Sequence, residues 1–184
     1  MAKNVMSALA GTKTEQNLMN AAKDEALAYT KYILFSEMAD REGQPQVSNT
    51  LREIAQNEKE HASLWLGYLG EMGDTLENIE DSIDREDFDE KTFYPEASRI
   101  AKDEGFGEIA DKFRKAGNAE HVHSRDCKKL LSDMTEGTMY SGSADTEWKC
   151  LNCGCESRGN TPPDFCPLCS YPKSFYVREG CKNA

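Results

Sequence analysis

Two pairs of residues carry the first sign of chemistry: Glu58 with His61, and Glu120 with His123. In each pair a carboxylate stands three positions before an imidazole, which on a helix puts both on one face. Around Glu58 that face is otherwise apolar, with Val47, Leu51, Ile54, Trp65, Tyr68 and Met72 recurring at helical spacing. Around Glu120 the same is true of Phe106, Ile109, Phe113, Cys127, Leu130 and Met134. A carboxylate set in an apolar stripe needs compensation, and a bound metal ion is the simplest source. A lone Glu-x-x-His says little, because helices are rich in Glu; its recurrence gives the motif weight. The third histidine, His121, lacks a Glu at that offset and lies off the ligand face.

Each pair needs a helix and a partner helix to supply further donors. The first helix is expected over Thr14–Arg41, with Glu25 amid the inward stripe of Leu18, Ala22, Tyr29, Tyr32 and Ala39. Glu42-Gly43-Gln44-Pro45 reads as a stop and restart, so the helix over Pro45–Met72 is its antiparallel neighbour. Gly73-Asp74-Thr75 closes that helix, and Leu76–Ser82 reads as a short helical segment in a crossover. A third helix over Arg85–Glu104 carries Glu86 and Asp89, and Pro95 is expected to bend it just beyond them. Gly105-Phe106-Gly107 turns into a fourth helix ending near Glu136. The halves mirror each other, Glu25 to Glu58 spanning 33 positions and Glu86 to Glu120 spanning 34. Two helices giving acids and two giving Glu-x-x-His form the ligand pattern of an all-α, ferritin-like di-iron four-helix bundle.

All seven cysteines follow residue 126, and four form the Cys-x-x-Cys pairs Cys150/Cys153 and Cys166/Cys169. A segment this short cannot bury a useful core alone, so a metal must organise it. Tetrahedral sulfur ligation follows from the spacing, with iron and zinc fitting equally well. Cys127, on a helical stripe, reads as a packed thiol, and Cys181 as a free thiol in a tail. The polar, small-residue stretch Gly137–Glu147 reads as a linker. The expected division is therefore 1–136 for the bundle, 137–147 for the linker and 148–184 for the four-cysteine domain.

The 184 residues carry 33 acidic and 22 basic side chains, a formal charge of −11, which repels nucleic acid and anionic membranes. Apolar runs are too short to span a bilayer and Met1–Gly11 lacks a signal-peptide core, so a cytoplasmic location is expected. No Gly-rich dinucleotide fingerprint is present, so a nicotinamide-dependent step would need a separate protein.

Jointly these residues resemble the rubrerythrin family, a ferritin-like di-iron domain fused to a C-terminal rubredoxin domain, from about Thr12 to Val177. The likeness rests on Glu25-x-x-Ala28-x-x-x-Tyr32, Glu58-Lys59-Glu60-His61, Glu86-x-x-Asp89 followed by Phe93-Tyr94-Pro95, Glu120-x-x-His123, and the paired cysteines. It implies two irons bridged by Glu58 and Glu120, one also bound by Glu25 and Asp89, the other by Glu86 and His123. His61 would replace the Asp89 carboxylate on reduction, with Tyr32 and Tyr94 beside the site. It also implies one iron at Cys150, Cys153, Cys166 and Cys169, where zinc is a possible substitute. The expected activity is reduction of hydrogen peroxide to water in oxidative-stress defence. Electrons would come from NAD(P)H through a flavoprotein reductase, or from a rubredoxin, and pass through the chain's own sulfur site within a head-to-tail homodimer. Ferritin-like iron storage and oxygen reduction are the alternatives. Three positions depart from the family pattern: Asp89 stands for the usual Glu, Ser170 for a usual Gly, and Cys155 for a commonly aromatic residue.

Overall fold

The computed structural model describes residues 8–179, and the chain divides into two units at Asp74/Thr75. The first unit is an antiparallel hairpin of α1 (Lys13–Arg41) and α2 (Pro45–Leu69). Thr12 caps α1 by accepting from the Glu15 N–H at 3.1 Å, while the Glu15 carboxylate takes the Gly11 N–H at 2.8 Å. Gly43, at φ +71°, makes the turn between the helices, and Gly70, at φ +79°, ends α2 three residues before the glycine expected from sequence.

Small residues make the contact line. Ser48, Ala55 and Ala62 of α2 are buried at seven-residue steps, against Ala22, Ser36 and Ala39 of α1. Side chains this small let the backbones approach, and the larger residues flank the line. Val47, Tyr68 and Tyr29, expected to face inward, are accordingly exposed.

The second unit holds α3 (Thr75–Phe88), a π-helical segment (Asp89–Phe93), α4 (Tyr94–Asp103) and α5 (Gly107–Thr135). The residues expected to form a short separate helical segment, Leu76–Ser82, are the first turns of α3, and residues 70–74 separate α2 from α3. The π segment has a local cause. Pro95 has no N–H to give to the carbonyl one α-turn back, and the Tyr94 N–H reaches five residues back to the Asp89 carbonyl. Ala110, Gly117 and Ser124 repeat the seven-residue line on α5. Phe93, Ile109 and Leu130, also expected inward, are exposed.

Beyond α5, β1 (Glu147–Cys150), β2 (Glu156–Arg158) and β3 (Tyr176–Arg178) form an antiparallel sheet in the order β2-β1-β3. Its core is Trp148, Cys150, Cys166 and Tyr176. The preceding linker residues are tied down rather than free. The Arg178 guanidinium donates to the Thr138 and Ser141 carbonyls at 2.7 and 2.5 Å and lies over the Trp148 ring. Cys181 lies outside the described residues. Among them, no helix is long and apolar enough to cross a membrane.

Candidate metal centres

In the first hairpin α1 supplies Glu25, and α2 supplies Glu58 and His61. One ligand atom from each lies within 4.8 Å of the others. His61 Nδ1 is 3.0 Å from Glu58 and 3.7 Å from Glu25. Glu58 crowds Glu25: a hydrogen bond between them, then burial and the charge of Glu58, raise the Glu25 pKa above its ordinary value. His61 and the Trp65 indole oppose that rise.

The second hairpin repeats the group with Glu86, Glu120 and His123, again within 4.8 Å. His123 Nδ1 is 2.7 Å from Glu120 and 3.4 Å from Glu86. Burial, then the Glu120 carboxylate, raises Glu86; the hydrogen bond to Glu120 raises His123. Two carboxylates sharing so small a space without a cation is the electrostatic condition that a divalent ion relieves. Both groups therefore fit a hard or borderline metal with oxygen and imidazole donors.

Asp89 does not join this group. Its Oδ2 accepts from Arg85 Nε at 2.8 Å, while its buried Oδ1 has no partner among the described residues. Tyr94 lies close to both Glu120 and Asp89; burial, then the two negative charges, raises its phenol. Tyr32 stands edge-on to Phe35, outside the three-residue group of its hairpin. His121 is paired with Glu90 at 2.8 Å, beside a cleft of about 380 Å³ that Tyr94 and Arg114 also line. Cys127 is an unpaired, half-buried thiol.

Sequence reasoning missed the tie between the helices of the second hairpin. Asp87 accepts from Lys128 at 2.7 Å, from Lys91 at 2.6 Å and from Ser124. It missed Arg85 as well, although an arginine four residues before an acid is a legible helical ion pair.

The sulfur site is compact. Cys150 and Cys169 are 3.8 Å apart at sulfur, and Cys153 and Cys166 are 3.6 Å apart. A tetrahedral metal with bonds of about 2.3 Å to sulfur has edges of about 3.8 Å, so the four thiols fit one ion. The neighbouring Tyr176, then the Cys169 and Leu168 N–H groups, lower the Cys166 thiol to about 5, which favours the ligating thiolate. The Asn152 side chain and the Tyr171 N–H lower Cys169 in the same way. Ser170, at φ +61°, adopts the left-handed conformation that the usual glycine would, and Cys155 packs against the sulfur core.

The rubrerythrin family profile matches residues 16–131 and 77–150, and the rubredoxin-like domain of rubrerythrin matches 148–177. The chain is 35% identical to rubrerythrin of Clostridium perfringens over 93% of its length and 96% of the relative's. It is 32% identical to rubrerythrin-1 of Clostridium acetobutylicum over the same shares. Solved structures of nigerythrin are similar at 24% identity over 92% of this chain and 88% of theirs, with a TM-score of 0.36. With its glutamate–histidine groups and four-sulfur site suited to iron, this chain belongs to the rubrerythrin family, oxidoreductases that join a ferritin-like di-iron domain to a rubredoxin-like one.

Proposed function

We propose that the chain reduces hydrogen peroxide to water. The observation that carries this reading is the presence, in one chain, of two matched carboxylate–histidine groups and a four-thiolate site. The overall reaction, H2O2 + 2 e⁻ + 2 H⁺ → 2 H2O, needs two electrons together and two protons. When bound, a ferrous pair supplies both electrons at once, whereas a single iron would supply one and release hydroxyl radical.

Glu25, Glu58, His61, Glu86, Asp89, Glu120 and His123 would hold the pair. The protein's own groups manage the protons. Glu25 and Glu86 are raised by their crowded neighbours in the metal-free protein, a crowding that bound cations would relieve. The Tyr94 phenol, kept protonated by burial and nearby charge, is a hydrogen-bond donor beside Glu120. The imidazoles of His61 and His123 are more than half exposed. An iron held by Cys150, Cys153, Cys166 and Cys169 would supply one electron at a time, so each turnover would need two. The source is a separate flavoprotein that oxidises NAD(P)H, or a rubredoxin. Two chains would act head to tail, the four-cysteine site of one supplying electrons to the glutamate–histidine groups of the other.

The test is to reduce the iron-loaded protein without air, then mix it with peroxide or with dissolved oxygen. Peroxide is expected to oxidise it far faster; equal or faster oxidation by oxygen would overturn the reading. Mixing Cys150→Ser with Glu58→Ala chains should restore turnover if electrons cross between copies. Mixed dimers without turnover would exclude that route.

A further inference from the structure

The two hairpins share their ligating glutamates and histidines but differ in the residues around Glu86. Glu86 of α3 corresponds to Glu25 of α1, 61 positions earlier. By the same offset Asp89 corresponds to Ala28, and Arg85 to Asp24. The Arg85–Asp89 pair thus exists only in the second hairpin. Asp89 lies one turn beyond Glu86 on the same helical face. Its side chain is 14% exposed, so its charge is largely withdrawn from water. Arg85 holds Oδ2, and the other oxygen is buried with no partner. That oxygen cannot be hydrated as a surface carboxylate is, and leaving it unsatisfied is costly. The charges of Asp89 and Glu120 both act on the Tyr94 phenol.

We infer that Arg85 is a positioning residue for a bundle metal: it holds one oxygen of Asp89 so that the carboxylate offers a single oxygen to that ion. This rests on the reading that the glutamate–histidine groups and Asp89 bind metal. Two consequences act in the same direction. Arg85 keeps Asp89 from chelating through both oxygens, and its charge opposes a nearby dication. Arg85 thereby keeps the affinity below what the donors alone would give.

Ferrous iron titrated without air into protein whose four-cysteine site is already filled provides the test, read by calorimetry without any turnover. Arg85 is 67% exposed, so its replacement should not disturb folding. Arg85→Gln is expected to tighten binding of one bundle iron by on the order of tenfold, about 1.4 kcal/mol. Arg85→Lys keeps the charge and is expected to stay within about threefold of the parent. On an Asp89→Asn background Arg85→Gln should tighten binding clearly less than on the parent background, because only the direct effect of the charge on the metal remains. Weaker or unchanged binding in Arg85→Gln overturns the inference, as does an equal gain on the Asp89→Asn background. If the parent protein binds no iron in its bundle, the metal reading falls and this inference falls with it. If the parent binds iron but Arg85→Gln does not tighten it, the inference fails alone.

Discussion

The two hairpins are the same device built twice, with one residue's difference. Before the π segment the offset between them is 61 positions, pairing Ala22 with Ile83 and Glu25 with Glu86. After it the offset is 62, pairing Tyr32 with Tyr94, Ala39 with Ala101, Ser48 with Ala110, Ala55 with Gly117, Glu58 with Glu120 and His61 with His123. The extra residue is housed in the π segment Asp89–Phe93. A single-residue insertion in a regular helix would rotate everything on one side by about 100°. The π turn absorbs that rotation, so Glu86 still meets Glu120 and His123. A metal group can therefore survive an insertion that falls between its donors, provided a local helical defect takes it up.

If the halves are equivalent, removing a matched ligand should have matched effects. Glu58→Ala and Glu120→Ala are each expected to lower the bundle iron content at least about tenfold, while the four-cysteine site stays filled. The metal-free variants should be at least as stable as the metal-free parent, since each loses a crowding carboxylate. Iron analysis together with thermal unfolding measures both. Iron loss in one variant and retention in the other would break the comparison.

The next contrast is between Gly117 and Ala55. A Cβ at Gly117 would meet the Tyr94 Cβ at 3.1 Å. That atom is attached directly to the backbone at the end of the π segment, so relief requires the helix to move. Gly117→Ala is expected to cost about 1 kcal/mol despite alanine's better helix propensity, since overpacking of this kind costs roughly 1–3 kcal/mol. Ala55, whose partner helix has no π segment, already carries the methyl. Denaturant unfolding decides it, and a stabilised Gly117→Ala variant would show that Tyr94 yields freely.

Acid should separate the hairpins' other polar ties. Lys128, then Lys91 and Ser124, hold Asp87 far below the ordinary carboxylate range; in the first hairpin Ser48, then Arg52, lower Asp40. A carboxyl whose folded pKa is depressed contributes stability above its unfolded value of about 3.9 and loses that contribution as pH falls through the folded one. Asp87→Asn should therefore be less stable than the parent at neutral pH, and the gap should narrow below about pH 4. Asp40→Asn should show the same sign with a smaller gap. Chemical unfolding across pH 2–7 checks it, and a gap that widens in acid would exclude the ion-pair account.

Much of this was legible in the chain. The Glu-x-x-His repeat, the Gly-Gln-Pro restart and the paired cysteines act through local spacing, and spacing along a helix or knuckle is itself geometry. The difference between 33 and 34 positions was legible too, but not its meaning, because a π turn leaves no hydrophobic period of its own. The start of α3 was misread because Leu76–Ser82 carries few apolar residues; helix continuity there follows from the absence of any Gly or Pro between Thr75 and Tyr94. Large residues were expected in the contact line, where Ser48, Ala55 and Ala62 stand instead. Hydrophobicity ranks such residues low, although close backbone approach favours them.

Duplication extends to the sulfur site, where the smallest effect is expected. Cys150 to Gly154 and Cys166 to Ser170 form equivalent knuckles: the Gly154 N–H donates to the Cys150 carbonyl and the Ser170 N–H to the Cys166 carbonyl, each at 2.8 Å. Both fifth residues take positive φ, +75° at Gly154 and +61° at Ser170. Glycine is unstrained there, whereas an L-residue with a Cβ is disfavoured by roughly 1–2 kcal/mol. Ser170→Gly removes that strain but gives the unfolded chain more freedom, which offsets about 0.4–1 kcal/mol. The net gain should be about 0.5 kcal/mol, seen as slower loss of the metal to a chelator or a slightly higher unfolding midpoint of the metal-loaded protein. Gly154→Ser should lose a comparable amount, since it places the same strain in the other knuckle. A Ser170→Gly variant that is destabilised would mean that the serine side chain contributes a contact worth more than the strain, and that the two knuckles are equivalent in backbone only.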